Sequence, residues 1–465
     1  MTDIVQKRGF LFSLAMKIQR ISEFQHKFSF LSSVENFDAY YVRFLESDLG
    51  KIYTAIPWSD LVRYFDLKES SKGTKMSFSP QGRIALMFLK HYACCSDKRL
   101  IEQLNSNIDY QFFCDLHLGF DRITNYKIVS QIRCELSASL NIDVLQKCLY
   151  VHWSDYIENP NQLTVDATCY ESELRYPSNQ KLLWEAVNWM YKQLRKNAKV
   201  VGVKMIRSKY LKWKRRYHNF SKMRRKTKSK RKSLTRSLLG LLKKFIDFEA
   251  ELRSYDHLRG SVQYYRRVAT IKKVYSQQEY HFRTGNKIKD RIVSIAKDYL
   301  RPIVRGKEIK PVEFGAKVNK LQIDGISFIE HLSFHAFNEG TRLQATIYKA
   351  QDLTHRKTKI IGADAIYATN KNRNFVTKHK IKTDFKRKGR PPKDYKQEKK
   401  LKSLITKERA TRLEGSFGKE KEYYHLKKIK AKTKLTETLW IFFGIHTANA
   451  LEIGRRIYKK QQIAA

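Results

Sequence analysis

The sequence predicts an α/β chain (α+β overall) in which helices flank a mixed sheet. Three observations predict it: helical apolar spacing between about residues 57 and 155, strand-like segments in an α/β order after residue 160, and a long basic stretch between the first two of those strands. The 465 residues exceed what one compact core usually holds. The predicted units are an N-terminal extension (1–56), a helical domain (57–155), a sheet domain (160–177 plus 310–456) and a basic, mainly helical insertion (178–309).

The helical domain is predicted from apolar residues that recur every three or four positions. One run begins at Ile84, Leu86 and Leu89 and continues to Leu104, and residues 125–140 repeat the pattern. Such helices could place one member in a DNA groove, as a helix-turn-helix does, or they could simply pack together. The spacing leaves both interpretations open.

The sheet is predicted from β-branched and aromatic segments and from the turns between them. Its order is a strand (162–166), a hairpin (312–321 and 326–335), a helix (341–353) and a buried strand (359–364). The dipeptide Asp324-Gly325 joins the two hairpin strands, and an Asp-Gly pair in that position is a strong hairpin signal. A final apolar run at residues 439–445 predicts a core helix that covers the sheet.

The chain is strongly basic, with 93 Lys and Arg against 45 Asp and Glu and a formal net charge of +48. Enzymes of small metabolites rarely carry this excess, because self-repulsion opposes compaction. Wholesale disorder is excluded, since 42% of the residues are hydrophobic. Nucleic acid is the polyanion that most simply neutralises the charge, and an anionic membrane surface is the alternative.

Residues 186–246 contain 22 Lys and Arg but no Asp or Glu. A solvated helical face normally mixes both signs, so this stretch favours a surface that follows a polyanion. Interleaved aromatic residues could stack on bases or pack on the core: Trp184, Trp189, Tyr191, Tyr210, Trp213 and Tyr217. The DNA contacts predicted here are Lys222, Arg224, Arg225, Lys226, Lys230, Arg231 and Lys232.

The cysteines and the apolar runs predict an intracellular, reduced protein. No apolar run reaches the roughly 20 residues that span a bilayer, and the first residues make a poor secretory signal. Five of the six cysteines fall in stretches that we interpret as buried helix, where a free thiol behaves as a small hydrophobe. Zinc ligation and a disulfide framework are therefore not expected.

Two acidic residues stand out: Asp166 lies in or just after a predicted strand, and Asp364 lies at the end of another. Ends of neighbouring strands bring side chains together, and carboxylate oxygens suit Mg²⁺. Glu414 is the best-placed third acid, because helical spacing puts it on one face with Lys421. The alternative for Glu414 is an ordinary surface residue in a charged helix.

Three segments resemble the catalytic blocks of bacterial insertion-sequence transposases of the DDE type. They are Asp166-Ala-Thr-x-x-Glu-Ser-x-Leu-Arg-Tyr-Pro177, Gly362-Ala-Asp-Ala-Ile-Tyr367 with Asn370-x-Asn-Arg373, and Glu414-Gly-Ser-Phe-Gly-x-x-Lys421. The resemblance, which runs from about residue 57 to residue 456, implies a ribonuclease H-like sheet behind the helical domain. It assigns catalysis and metal binding to Asp166, Asp364 and Glu414, and it places Lys421 on DNA near the cleaved phosphate. The implied cofactor is Mg²⁺, replaceable by Mn²⁺ and held as two ions.

The chain departs from the family pattern near the third acid. Related subgroups have an Arg four residues before the Glu, whereas Ala410 stands there, flanked by Arg409 and Arg412. Both arginines are predicted to contact DNA, without a more specific role. Residues 385–392 resemble a Gly-Arg-Pro minor-groove hook, so Lys388 and Arg390 are predicted to enter a minor groove or to touch phosphates.

The resemblance implies a transposase that binds the terminal inverted repeats of its own element. It would cleave the DNA and transfer the strand in the cytoplasm of a bacterium, at the nucleoid. Its partners would be double-stranded DNA, as element ends and target, and at least a second protomer, with no membrane. Three alternatives stay open: a catalytically inactive DNA-binding relative, a ribonuclease H-fold nuclease without strand transfer, and a structural RNA-associated protein.

Overall fold

The computed structural model describes residues 33–69, 77–119, 121–255, 260–304, 311–389 and 395–464. The helices before the sheet are α1 (Ser33–Glu46), α2 (Asp48–Thr54), α3 (Trp58–Tyr64), α4 (Pro80–Tyr92), α5 (Asp97–Ser106), α6 (Ile108–Phe113), α7 (Lys127–Ala138) and α8 (Ile142–Trp153). Ser47, Ser79 and Ser96 cap α2, α4 and α5, each accepting a hydrogen bond from a backbone N–H of the first turn. The helices predicted from apolar spacing are thus present in α4, α5 and α7.

One buried cluster joins these helices to the sheet. Phe44 and Ile52, which precede residue 57, belong to the same cluster as Phe88 and Val165. The C-terminal helix α17 (Lys434–Ala464), whose residues 439–445 are nearly all buried, belongs to it as well. The prediction of a core helix for this apolar run is confirmed. Among the helices of the described ranges, none has the length and hydropathy needed to cross a bilayer.

The sheet is mixed, and its central strand carries the first candidate acid. Its strands are β1 (Gln162–Ser172), β2 (Pro302–Val304), β3 (Val312–Ile323), β4 (Ile326–Ser333), β5 (Ile360–Ala363), β6 (Lys382–Thr383) and β7 (Lys428–Ile429). Strand β1 lies between β3, to which it is antiparallel, and β5, to which it is parallel; β4 and β2 pair with the far side of β3, and β6 pairs with β5. The predicted mixed sheet flanked by helices is confirmed, and it is consistent with a ribonuclease H-like core plus helical domains.

The hairpin between β3 and β4 forms as predicted. Asp324 and Gly325 both have positive φ angles, +47° and +82°. A two-residue turn with positive φ at both positions matches the right-handed twist of the flanking strands, and Asp-Gly is one of the sequences that favour it. The helices that follow are α13 (Leu343–Thr354), α14 (Asn370–Lys378), α15 (Tyr395–Glu408) and α16 (Glu414–Tyr423).

The basic insertion is helical and has an apolar cluster of its own. Its helices are α9 (Asn179–Val201), α10 (Tyr210–Lys222), α11 (Lys228–Leu252) and α12 (Val262–Thr284). The sequence left open whether its aromatic residues stack on bases or pack on the core, and several of them pack on one another. Trp184 stacks on Tyr217 with ring centroids 5.0 Å apart, and Tyr191 stacks on Tyr210 at 3.7 Å.

The cysteine prediction needs a correction. All six thiols are free, but only Cys114 and Cys169 are buried, whereas Cys94 and Cys134 are exposed. Cys94 follows the last turn of α4 in a left-handed conformation, and Cys134 lies on the outer face of α7. Apolar spacing identified the helices correctly, but these two positions lie off the faces that the helices bury.

Candidate active site

The register of β1 and β5 places Asp166 next to Asp364. Val165 of β1 pairs with Ala363 of β5 in the parallel ladder, and Asp166 and Asp364 are the residues that come directly after this pair. Asp166 lies within β1, which is one of the two positions that the sequence left open, and β5 ends just before Asp364. Each carboxylate accepts a hydrogen bond from the following backbone N–H, Asp166 at 2.8 Å and Asp364 at 2.7 Å.

The carboxyl group of Asp166 is buried and has other acids near it at this edge of the sheet. Burial raises the pKa of Asp166 to about 6, and repulsion from Glu339 and Asp364 adds to the shift. The hydrogen bond from the N–H of Ala167 and the charge of Arg409 act in the opposite direction, lowering that pKa. A site where carboxylates repel one another favours a bound cation.

Sequence reasoning missed two acids of this edge, Glu339 and Asp384. Glu339 begins a 3₁₀ turn before α13 and forms an ion pair with Lys317 at 2.7 Å. The Asp384 side chain is only 4% exposed and accepts a hydrogen bond from the N–H of Ala363 at 3.0 Å. Its pKa is raised by burial. Asp384 follows β6, a strand of two residues that is too short to leave a sequence signal.

Glu414 is linked to this edge of the sheet by the side chain of Arg409, which lies between it and Asp384. Helix α15 ends in a π-helical turn, Arg409–Leu413, and Glu414 begins α16. The Glu414 side chain is 50% exposed, and its Oε1 lies 3.1 Å from Nη1 of Arg409. Nε of Arg409 lies 3.8 Å from Oδ2 of Asp384. Across the ranges that the structure describes, no three His, Cys, Asp or Glu side chains are gathered closely enough to hold a metal ion.

Helix α16 is fixed to the sheet by a buried ion pair. Lys320 of β3 lies opposite Asp166 of β1 in the strand register. Its Nζ lies 2.6 Å from Oε1 of Glu420 and donates a hydrogen bond to the Ser416 hydroxyl. Tyr170 donates a hydrogen bond to the same Glu420 carboxylate. Burial lowers the pKa of Lys320, and the attraction of Glu420 opposes that shift. This anchor sets the position of the helix that begins with Glu414.

Lys421 projects from α16 toward the same face of β1 as Asp166. Its Nζ donates to the hydroxyl of Thr168 at 3.0 Å. Thr168 is two residues after Asp166, so both side chains lie on one face of the strand. The structure therefore brings Lys421 into the neighbourhood of the first acid.

The remaining predicted DNA contacts lie in other surroundings. Arg412 pairs with Asp324 at the hairpin turn (3.0 Å), and Lys388 donates to Asn370 at 2.8 Å. Arg390 lies outside the described residues. The basic run at the end of α10 and the start of α11 is exposed, apart from the half-buried Lys226, whose Nζ lies over the ring of Phe220.

The donor set fits a hard divalent cation at the aspartate pair. Mg²⁺ usually takes one or two protein carboxylates together with substrate phosphates. Asp166 and Asp364 supply such a pair, and the negative charges of Asp364 and Glu339 help to raise the pKa of Asp166, which a bound cation would offset. Glu414 could bind the same cation only if its ion pair with Arg409 were broken.

Two segments of the chain match known protein families. The family model described as Transposase DDE domain matches residues 361–445, a range that contains Asp364, Glu414 and Lys421. The family model described as Transposase domain (DUF772) matches residues 40–135, which extend from α1 into α7. No curated protein and no solved structure matches the chain.

Proposed function

The two family matches support an insertion-sequence transposase of the DDE type, and from that premise we propose that the chain cleaves the ends of its own mobile element and joins them to target DNA. The observation that carries the proposal is the β1–β5 register, which sets Asp166 beside Asp364. Asp166, Asp364 and Glu414 are the proposed catalytic acids.

The proposed chemistry is phosphoryl transfer without a covalent protein intermediate. Bound Mg²⁺ or Mn²⁺, in a pair of ions, would activate the attacking oxygen and stabilise the leaving oxygen. Asp166 and Asp364 would hold the cations, and Glu414 would complete the set once its carboxylate is released from Arg409. Lys421, next to Thr168, positions the phosphate that is cleaved. The 3′ hydroxyl released by hydrolysis stays in the site and attacks the target strand.

DNA binding is proposed for the basic surfaces around this centre and on the insertion. The exposed run of residues 222–232 lacks acids and follows the backbone of the element ends, while Arg412 and Lys388 contact phosphates nearer the acids. Because two element ends must be cut together, the active complex contains at least two protomers. We place its action in the bacterial cytoplasm, at the nucleoid.

A second candidate function is a DNA-binding relative that no longer cuts. The observation that favours it is the ion pair between Glu414 and Arg409, which engages the third acid. A third candidate, a nuclease of the same fold, shares all the acids but would release cut ends without joining them.

A strand-cleavage assay separates these functions. The substrate is a labelled duplex carrying the DNA that flanks this gene, with Mg²⁺ or Mn²⁺ added. We expect 3′-hydroxyl ends and joined products from the wild type, and neither from Asp364→Asn. Asp352→Asn is the matched control, because it removes an exposed carboxylate that forms an ion pair with Lys147. Cut ends without joined products would favour the nuclease, and tight binding without cleavage would favour the inactive relative.

A further inference from the structure

The Arg409 side chain lies among the carboxylates of the candidate active site. Its guanidinium contacts Glu414 at 3.1 Å and approaches Asp384 at 3.8 Å, and its charge lowers the pKa of Asp166. The side chain is only 15% exposed. Arg409 therefore faces the acids and has little surface left for solvent or DNA.

The π-helical turn is what points Arg409 inward. In an α-helix, residues four apart lie on one face, and a π-helical turn adds one residue to that repeat. Arg409 stands five residues before Glu414, and the turn between them brings both onto the same face. Arg412, in the same turn, points to the hairpin instead and is 48% exposed.

The helix that precedes this turn is held close to the acid-bearing strand. Gly362 of β5 allows this approach, because a Cβ there would lie 2.8 Å from the Cγ2 of Ile405 in α15. The buried Leu413 ends the turn. The packing of α15 on β5 therefore places Arg409 near the carboxylates, and this position does not depend on a ligand.

Arg409 neutralises charge that a metal ion would otherwise neutralise. The guanidinium lies between Glu414 and Asp384 and acts on the charge of Asp166, so it offers these carboxylates the attraction that a divalent cation would offer. The hydrogen bonding of the guanidinium is incomplete: within the described residues, the buried Nε of Arg409 has no hydrogen-bond acceptor. An ion pair with a donor left unsatisfied can be exchanged for another arrangement at low cost.

We propose that Arg409 is the resident counter-ion of the carboxylate site in the free protein and competes with the divalent cation for it. The proposal rests on the proposed function, since it assumes that these acids bind metal. Its consequence is that the free protein binds metal weakly, because Glu414 must exchange Arg409 for the ion. Arg409 then acts through Glu414, as a positioning residue.

The test measures Mn²⁺ binding to the full chain without DNA, by calorimetry, so that no cleavage is needed. We expect Arg409→Gln to bind Mn²⁺ about tenfold more tightly than the wild type, because a positive charge a few ångströms from the ion is removed. Arg409→Lys, which keeps the charge, is expected to stay close to the wild type. Arg412→Gln removes the same charge from the same turn but from outside the site, and is expected to change the affinity by less than about twofold.

The outcomes separate this inference from the proposed function. Equal or weaker Mn²⁺ binding by Arg409→Gln, in a protein that melts like the wild type, overturns the counter-ion role. If Asp166→Asn still abolishes Mn²⁺ binding in that case, the metal site and the proposed function survive. If neither the wild type nor Arg409→Gln binds Mn²⁺, both the inference and the metal site of the proposed function are wrong.

Discussion

His446 on α17 is a buried titratable residue that makes the folded chain sensitive to acid. Its side chain is fully buried beneath the sheet, with Nδ1 beside the Asn449 amide at 3.1 Å. Burial lowers the pKa of His446 to about 3 and that of His425 to about 4, and the pKa of His91 is also well below the usual 6.5. These imidazoles are neutral in the folded state at pH values where the unfolded chain binds protons.

The sign of the pH dependence follows from this difference. Between pH 6.5 and about 4 these histidines bind more protons in the unfolded state than in the folded state, so their contribution to the free energy of unfolding falls as the pH falls. We expect His446→Gln, which can keep the contact with Asn449, to reduce this loss by up to about 1.4 kcal/mol per pH unit. Urea unfolding at pH 7, 6, 5 and 4 measures it. The same comparison at pH 8, where imidazoles are neutral in both states, controls for altered packing; an unchanged slope would contradict the prediction.

At the residue scale, the sequence predicts the acids that carry a motif and misses those that depend on packing. Asp166 and Asp364 follow apolar strand segments, and the fold places them in adjacent positions. Glu339 comes from a 3₁₀ turn that has no periodicity, and Arg409 reaches the site only because a π-helical turn changes the helical register. Neither geometry can be inferred from the spacing of apolar residues.

At the element scale, helix α17 packs so closely against α2 that only glycine fits at one position. A Cβ at Gly454 would lie 2.1 Å from the backbone oxygen of Lys51. Because that neighbour is backbone, the two helices would have to move apart. We expect Gly454→Ala to lower the free energy of unfolding by about 1–3 kcal/mol, measured by urea denaturation.

A second glycine provides the matched control for this substitution. A Cβ at Gly418 in α16 would meet nothing within 4 Å, so Gly418→Ala adds a methyl group without a clash. Alanine is the better helix former, and the variant should be more stable by about 0.5–1 kcal/mol. If both substitutions had the same sign, close packing of α2 on α17 would not explain the Gly454 result.

Long elements with a clear period were predictable from the sequence, whereas short ones were not. The β3–β4 hairpin and the helix α13 agree with the predicted segments to within a few residues. Strands β2, β6 and β7 have two or three residues each, which is too few to show alternation. They form because the longer strands β1, β3 and β5 present backbone N–H and C=O groups to which they can pair. This pairing depends on the folded sheet and leaves no pattern in the sequence.

At the scale of the whole molecule, the insertion combines a separate core with an exposed basic surface. Its apolar cluster is distinct from the one that joins the N-terminal helices to the sheet. Lys222, Arg224 and Arg225 are exposed, at the end of α10 and in the loop that follows. Their charges can therefore be removed without disturbing the packing that supports the carboxylate edge.

The salt dependence of DNA binding tests whether this surface contacts phosphates. Each phosphate contact releases condensed counterions, so the slope of log Kobs against log salt concentration is about −0.9 per contact on duplex DNA. We expect the combined substitution of Lys222, Arg224 and Arg225 by Gln to make the slope shallower by about 2–3, measured by fluorescence anisotropy on a labelled duplex. Replacing Arg224 and Arg225 by Lys keeps the charge and is expected to keep the slope, which separates phosphate attraction from arginine-specific hydrogen bonding. An unchanged slope in the Gln variant would mean that the acid-free surface of the insertion lies away from the DNA, and the excess charge would then have to act through the helical domain or the sheet domain.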